Sequence, residues 1–324
     1  MRYKISILLF TAILMITGCQ TEEDTKILRL AHSLDTQHPV HNAMLVLGES
    51  LEKRSGGKLK VEIFPNGQLG GERESIELLQ IGSLDVAKVS AGVLENFIPE
   101  YKVFGVPYLF RDKQHTYDIY DGAVGQGILA QGEKFNLQGL TFYDAGSRSF
   151  YTKSEHIKSP DDIVDKKIRV MKSNMAIAMI NDLGGAPTPI SFGELYTALQ
   201  QGVVDGAENN IPSYFTSKHY EVCKYLSIDE HTCVPDVLVI GTETLKRLDE
   251  QEQKWLREAV QDSKIEQRKL WDASVEDCLR KAQESGVKVI YPEKEAFQEA
   301  TKKLREQFKE DPLLGPLVKS IQNN

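Results

Sequence analysis

Cysteine is scarce in this chain, four among 324 residues. Cys19, Cys223, Cys233 and Cys278 make no C-x-x-C pair and no Cys/His array, which excludes zinc ribbons and disulfide-dense scaffolds. Cys223 and Cys233 are close enough in sequence for a disulfide, but spacing leaves a bridge and buried free thiols both open. His38 and His41 form an H-x-x-H pair without a third ligand, so no metal is expected. The G-x-S-x-G, H-E-x-x-H, G-x-G-x-x-G and P-loop patterns are also absent, and with them the chemistries they mark. No cofactor and no catalysis on a ligand are expected, although glycosidase-type carboxylate pairs need no short motif and stay open. A basic excess is missing too: 39 Lys and Arg face 47 Asp and Glu, a formal charge of −8. That balance argues against nucleic acid. An anionic ligand would have to be held by a local cationic pocket, because the whole molecule's field repels it.

Long apolar runs are confined to the beginning. Arg2 and Lys4 precede ISILLFTAILMI (5–16), which ends at Thr17, Gly18 and Cys19. The run is too short to span a bilayer and has the layout of a secretory signal. A small residue before cysteine resembles a bacterial lipobox, which implies a signal over 1–18, an acylated Cys19 and a short polar tether over 19–26. The expected location is extracytoplasmic, anchored to a membrane by lipid. The rest, roughly 300 residues, suffices for two lobes with cores of their own.

Along that remainder, strand and helix signals alternate as in an α/β protein. ILRLAHS (27–33), KLKVEIF (58–64), LDVAKVS (84–90) and LTFYDAGSRSFYTK (140–153) read as strands, the last carrying the chain between lobes near Ala145–Gly146. PVHNAMLVLGESLEKRS (39–55) and ERESIELLQIG (72–82) read as helices. The loop PNGQLGG (65–71) is rich in glycine where backbone must turn and a ligand could approach. From about Asp249 to Ser285 a helical pattern runs without Gly or Pro. A helix of that length, about 55 Å, exceeds the width of one lobe and is expected to span both.

One segment points to a ligand. In KIRVMKS (167–173), a predicted strand, Arg169 faces away from Ile168 and Val170, so its guanidinium can enter a cleft while its neighbours pack the core. Guanidinium is always charged and forks onto a carboxylate. Beyond a predicted helix, the short strand PTPI and a second helix opened by a Ser191/Glu194 capping box, the chain reaches DGAENN (205–210), a polar hairpin-like end. Arg169 and Asn209 would then lie at the ends of separate strands of one lobe, where open sheets place ligands.

The order of these elements resembles the solute-binding proteins of TRAP transporters, the DctP-like family. The segments that carry the resemblance are GQLGGERE (67–74), GSLDVA (82–87), VFGVPYLF (103–110), IRVMKS (168–173), GGAPTPISFGELYTALQQGVVDGAEN (184–209) and the long C-terminal helix. It implies an α/β, two-lobe periplasmic-binding-protein-like fold. Lobe I would comprise 27–146 plus about 233–270, and lobe II 147–232 plus about 271–324. It also implies a small organic acid as ligand and a TRAP membrane permease as partner, with closure about a hinge. The family's carboxylate-clamping arginine falls on Arg169, its asparagine on Asn209, an aromatic pocket position on Phe192 and an acidic one on Glu72. A second arginine falls on Arg148.

Among the polar candidates, His32, Gln37, His38 and Glu72 suit hydroxyl groups, and acceptors such as Glu72 repel a second carboxylate. Tyr214 could stack on a sugar ring or belong to the core. AHSLDTQHPVH (31–41) resembles family members associated with sugar acids, so a hexuronate or related aldonate is expected ahead of a C4-dicarboxylate. Two other readings remain on the residues alone: a ligand-sensing lipoprotein and an extracytoplasmic sugar-acid enzyme.

Overall fold

The computed structural model describes residues 25–324. Cys19 and its leader lie outside the described residues, so the lipid anchor has no structural account here. The strands are β1 (Lys26–Ala31), β2 (Leu59–Phe64), β3 (Val86–Ser90), β4 (Leu137–Tyr143), β5 (Arg148–Thr152), β6 (Lys167–Val170), β7 (Ala186–Pro189), β8 (Gly206–Asn209), β9 (Tyr225–Thr232), β10 (Asp236–Gly241) and β11 (Lys288–Ile290). They form two sheets, ordered β2-β1-β3-β10-β4 and β11-β9-β5-β8-β6-β7. The chain changes sheet three times, between β4 and β5, between β9 and β10, and between β10 and β11. Each sheet is the centre of one lobe of a two-lobe periplasmic-binding-protein fold.

Local chemistry explains most of these elements. In β6, Ile168 and Val170 enter one hydrophobic cluster with Phe150, Met179 and Phe297, while Arg169 projects to the other face. The strand pairs in parallel with β7 and β8, placing Arg169 beside Thr188 and Ala207. The prolines at 187 and 189 are accommodated because β7 is an edge strand. DGAENN is not a hairpin: β8 runs directly into the helix Ile211–Thr216, and Asn210 caps that helix by accepting from Ser213 N at 2.8 Å. The Ser191/Glu194 capping box does not form; a short 3-10 turn, Phe192–Glu194, precedes the helix Leu195–Gln201.

The long helix is continuous over Glu250–Glu284, 35 residues, and starts at a reciprocal capping box of Asp249 and Glu252. Its first two-thirds bury Leu256, Ala259, Val260 and Trp271 in the first lobe's core. Ala282 and Leu279 join the second lobe's core near its far end. Gln267 holds the crossover between lobes, accepting from Asp144 N at 2.9 Å and donating to Asp144 O at 2.7 Å. The last helix, Leu314–Gln322, departs from the expected grouping of 271–324 with lobe II: Leu314, Val318 and Ile321 pack with Tyr101, Phe104 and Ile119 of lobe I. His115 Nε2 meets Ile321 O at 2.9 Å. Cys223, Cys233 and Cys278 are free thiols. No helix among the described residues is long and apolar enough to cross a membrane.

Candidate functional site

Between the lobes lies a cavity of about 700 Å³, counting its mouth. First-lobe strands and the helix Glu72–Gln80 contribute Ser33, Glu72, Lys88 and Asp236; the second lobe contributes Arg148, Arg169, Phe192, Asn209 and Ser213. The lobes meet closely beside it. Glu95 Oε1 accepts from Ser173 Oγ at 3.0 Å and Met175 N at 3.1 Å, so a first-lobe carboxylate sits on the N-terminus of a second-lobe helix. Gly105 makes the approach possible, because a Cβ there would stand 2.7 Å from Met175 Cβ.

Arg169 is the uncompensated charge of the cavity. It is 2% exposed, and its Nε donates to Ile190 O at 2.9 Å. Nη1 is buried with no hydrogen-bond partner among the described residues. Burial pulls its pKa below the usual arginine value, and Arg148 nearby adds to that. Phe192 lies beneath the guanidinium, 6.0 Å from ring centroid to Cζ. A buried, charged donor without an acceptor is costly. A carboxylate in the cavity would remove that cost.

Arg148 is placed differently. Its Nε pairs with Glu208 Oε2, Nη2 donates to Glu208 Oε1 at 3.0 Å and to Glu208 O at 2.8 Å, and Nη1 donates to Asn209 Oδ1 at 2.8 Å. Burial opposes its charge, yet Glu208 outweighs this and raises its pKa. Glu208 is held down at about 2, where Arg148 and His231 overcome burial. His231, 3.5 Å from Glu208 Oε2 and 2.8 Å from Asp229 Oδ2, is raised to about 9 against its burial. It is a buried cation at neutral pH. Asn209 Oδ1 is thereby fixed as an acceptor, also from Asn210 N at 2.9 Å, which leaves its amide NH2 for the cavity.

On the opposite wall Glu72 was expected, whereas Lys88 and Asp236 were not. Lys88 Nζ donates to Glu72 Oε1 at 3.0 Å and Asp236 Oδ1 at 2.9 Å. All five residues of β3 are buried, so a lysine inside LDVAKVS was the available signal: a buried ammonium requires acid partners.

Other candidates lie away from the cavity lining. His32 Nδ1 accepts from Leu34 N at 3.1 Å and its Nε2 meets His41 Nδ1 at 3.0 Å. Burial, with Lys88 and His41, lowers its pKa to about 3. His38 caps the helix Pro39–Ser55 and reaches Ser213; it stands behind the lining. Gln37 is exposed. Tyr214 is a core residue, its hydroxyl donating to Cys223 O at 2.6 Å and its ring 4.8 Å from Tyr151. No grouping of His, Cys, Asp and Glu fit to hold a metal occurs among the described residues.

A family model for bacterial extracellular solute-binding protein, family 7 (DctP), matches residues 30–311. An uncharacterised protein of Salmonella typhimurium is 40% identical over 302 residues, 91% of each chain. A TRAP periplasmic solute-binding protein from a Bradyrhizobium species, solved with galacturonate, is 41% identical with a TM-score of 0.90, covering 92% of this chain and 100% of that one. Another, from Anaerococcus prevotii and solved with glucuronate, is 35% identical with a TM-score of 0.90, covering 92% and 98%. This chain belongs to the bacterial extracellular solute-binding proteins of family 7, the DctP family of TRAP transporter solute receptors.

Proposed function

We propose that this protein captures a hexuronate, galacturonate or glucuronate, from outside the cytoplasm and delivers it chemically unchanged to a TRAP permease. We also propose a lipid anchor at Cys19, on the strength of the signal and lipobox pattern. The observation that carries the ligand assignment is the partnerless Nη1 of Arg169 in a cavity whose other buried cations, Arg148 and Lys88, already face acids. One carboxylate satisfies Arg169. The remaining wall presents donors and acceptors in matched pairs, which suits hydroxyls; a second carboxylate would meet Glu72 and Asp236 at like charge. The bound galacturonate and glucuronate of the relatives are in keeping with this reading.

Arg169 and Asn209 would hold the carboxylate in the second lobe, while Glu72, Lys88 and Asp236 engage the sugar hydroxyls as the lobes close. Calorimetric titration with galacturonate, glucuronate, erythronate, succinate and galactose tests the assignment. Both uronates should bind, galactose should not, and recovered ligand should be unaltered. Succinate binding tenfold tighter than either uronate would overturn it.

A further inference from the structure

His38 does not line the cavity, yet it touches a residue that does. Its Nε2 lies 3.1 Å from Ser213 Oγ, across the two lobes and 175 positions along the chain. Both are nearly excluded from solvent, at 1% and 4% exposure. We propose that His38 of the first lobe is a positioning residue that makes the Ser213 hydroxyl of the second lobe a dedicated hydrogen-bond donor to the ligand.

The direction of this bond follows from the helix cap. His38 is the N-cap of Pro39–Ser55, and its Nδ1 accepts from Val40 N at 3.2 Å. A neutral imidazole carries one proton, and Nδ1 is occupied as an acceptor, so the proton resides on Nε2. Burial keeps the ring neutral, with Lys88 and the two nearby histidines acting the same way. Nε2–H therefore donates to Ser213 Oγ. The Trp271 ring, 5.9 Å away and tilted, flanks the imidazole.

Ser213 must then direct its own proton elsewhere. No other partner of its Oγ occurs among the described residues, and the residue lines the cavity. Its hydroxyl hydrogen points where a ligand oxygen can receive it. A carboxylate or ring oxygen is satisfied there; a ligand group that only donates is disfavoured, because it can use just the second lone pair of Oγ and leaves the hydroxyl proton without an acceptor in the closed cleft. Closure also forms the His38–Ser213 bond itself, which ties that donor to the closed cleft.

This inference rests on the cavity being the uronate site, and the test separates the two. Asn is a good N-cap residue but is too short to reach Ser213, whereas Gln reaches it as a donor and caps poorly. His38→Asn should melt within a few degrees of wild type yet bind galacturonate about tenfold more weakly. His38→Gln should melt lower yet keep its affinity within about threefold. Ser213→Ala should lose about tenfold, and adding His38→Asn to it should cost no more than twofold further. Additive losses, or His38→Asn binding within twofold of wild type, overturn the proposal. Nitrogen-15 NMR of the His38 ring reads the same point without ligand: an Nε2–H tautomer is expected at pH 7, and an Nδ1–H or doubly protonated ring overturns it. Failure of wild type to bind any uronate would refute the ligand assignment and leave the tautomer to decide this inference.

Discussion

Replacing Arg169 with methionine separates its cost to the fold from its value to the ligand. The side chain is fully enclosed, its Nε bound to Ile190 O and its Nη1 bound to nothing in the described structure. Burying such a charge costs several kcal/mol, which Glu208 and Glu72 offset only from a distance and without a direct ion pair. Methionine fills much of the same space without charge. The unliganded variant should therefore melt at or above the wild-type temperature, despite losing one hydrogen bond worth about 1 kcal/mol. Binding should respond in the opposite sense. A buried carboxylate deprived of its charged partner loses about 2–5 kcal/mol, which at about 1.4 kcal/mol per decade is roughly 30- to 4,000-fold in Kd. Arg169→Lys should recover only part, since an ammonium keeps the charge and loses the planar two-point fit. Calorimetry with galacturonate, alongside thermal melts without ligand, reads both quantities. Methionine binding within about threefold of wild type, near 0.6 kcal/mol, would show that the carboxylate lies elsewhere and refute the site.

The charged layer beneath Arg148 should make stability depend on pH. His231 is raised from 6.5 to about 9 in the fold, so its contribution is complete below pH 6.5 and is lost as pH rises through 9, at most about 3 kcal/mol; His231→Gln should flatten that limb of the stability–pH curve measured by urea unfolding, and an unchanged limb would contradict it. Gly105→Val places atoms where Met175 Cβ approaches, at a residue outside the cavity lining; scattering from the galacturonate-saturated variant should show a more open particle than wild type, and identical profiles would mean the lobes do not close on that contact. Cys19→Ala should give a folded protein that no longer partitions with membranes, and fractionation finding it still membrane-bound after signal cleavage would remove the lipid anchor.

Features governed by neighbouring residues were readable from the chain. Arg169 had to face away from Ile168 and Val170 because strand side chains alternate, and both neighbours enter one hydrophobic cluster while Arg169 lines the cavity. The long helix was legible from a Gly- and Pro-free pattern beginning near Asp249, where the structure adds a capping box with Glu252. Local signals failed where a short motif had two solutions. DGAENN has turn composition, but Asn210 serves as a helix cap instead of closing a hairpin. Tyr214 carries a polar tip that suits a sugar or a buried carbonyl, and Cys223 O took it.

By itself, the sequence determined the alternating α/β order and the family likeness, and it set Arg169 on the strand face opposite Ile168 and Val170. Tertiary structure alone decided how charge is shared in that cleft. Arg148 and Arg169 are the same residue type, in neighbouring parts of one sheet; Glu208, beside Arg148, neutralises one and leaves the other open. Lys88 finds Asp236 across antiparallel strands distant in sequence. His38 finds Ser213 only when two lobes meet. Each outcome depends on distances of 3 Å between groups tens to hundreds of residues apart, and electrostatic and hydrogen-bond energies at such range are set by burial and geometry, which no local pattern of residues encodes.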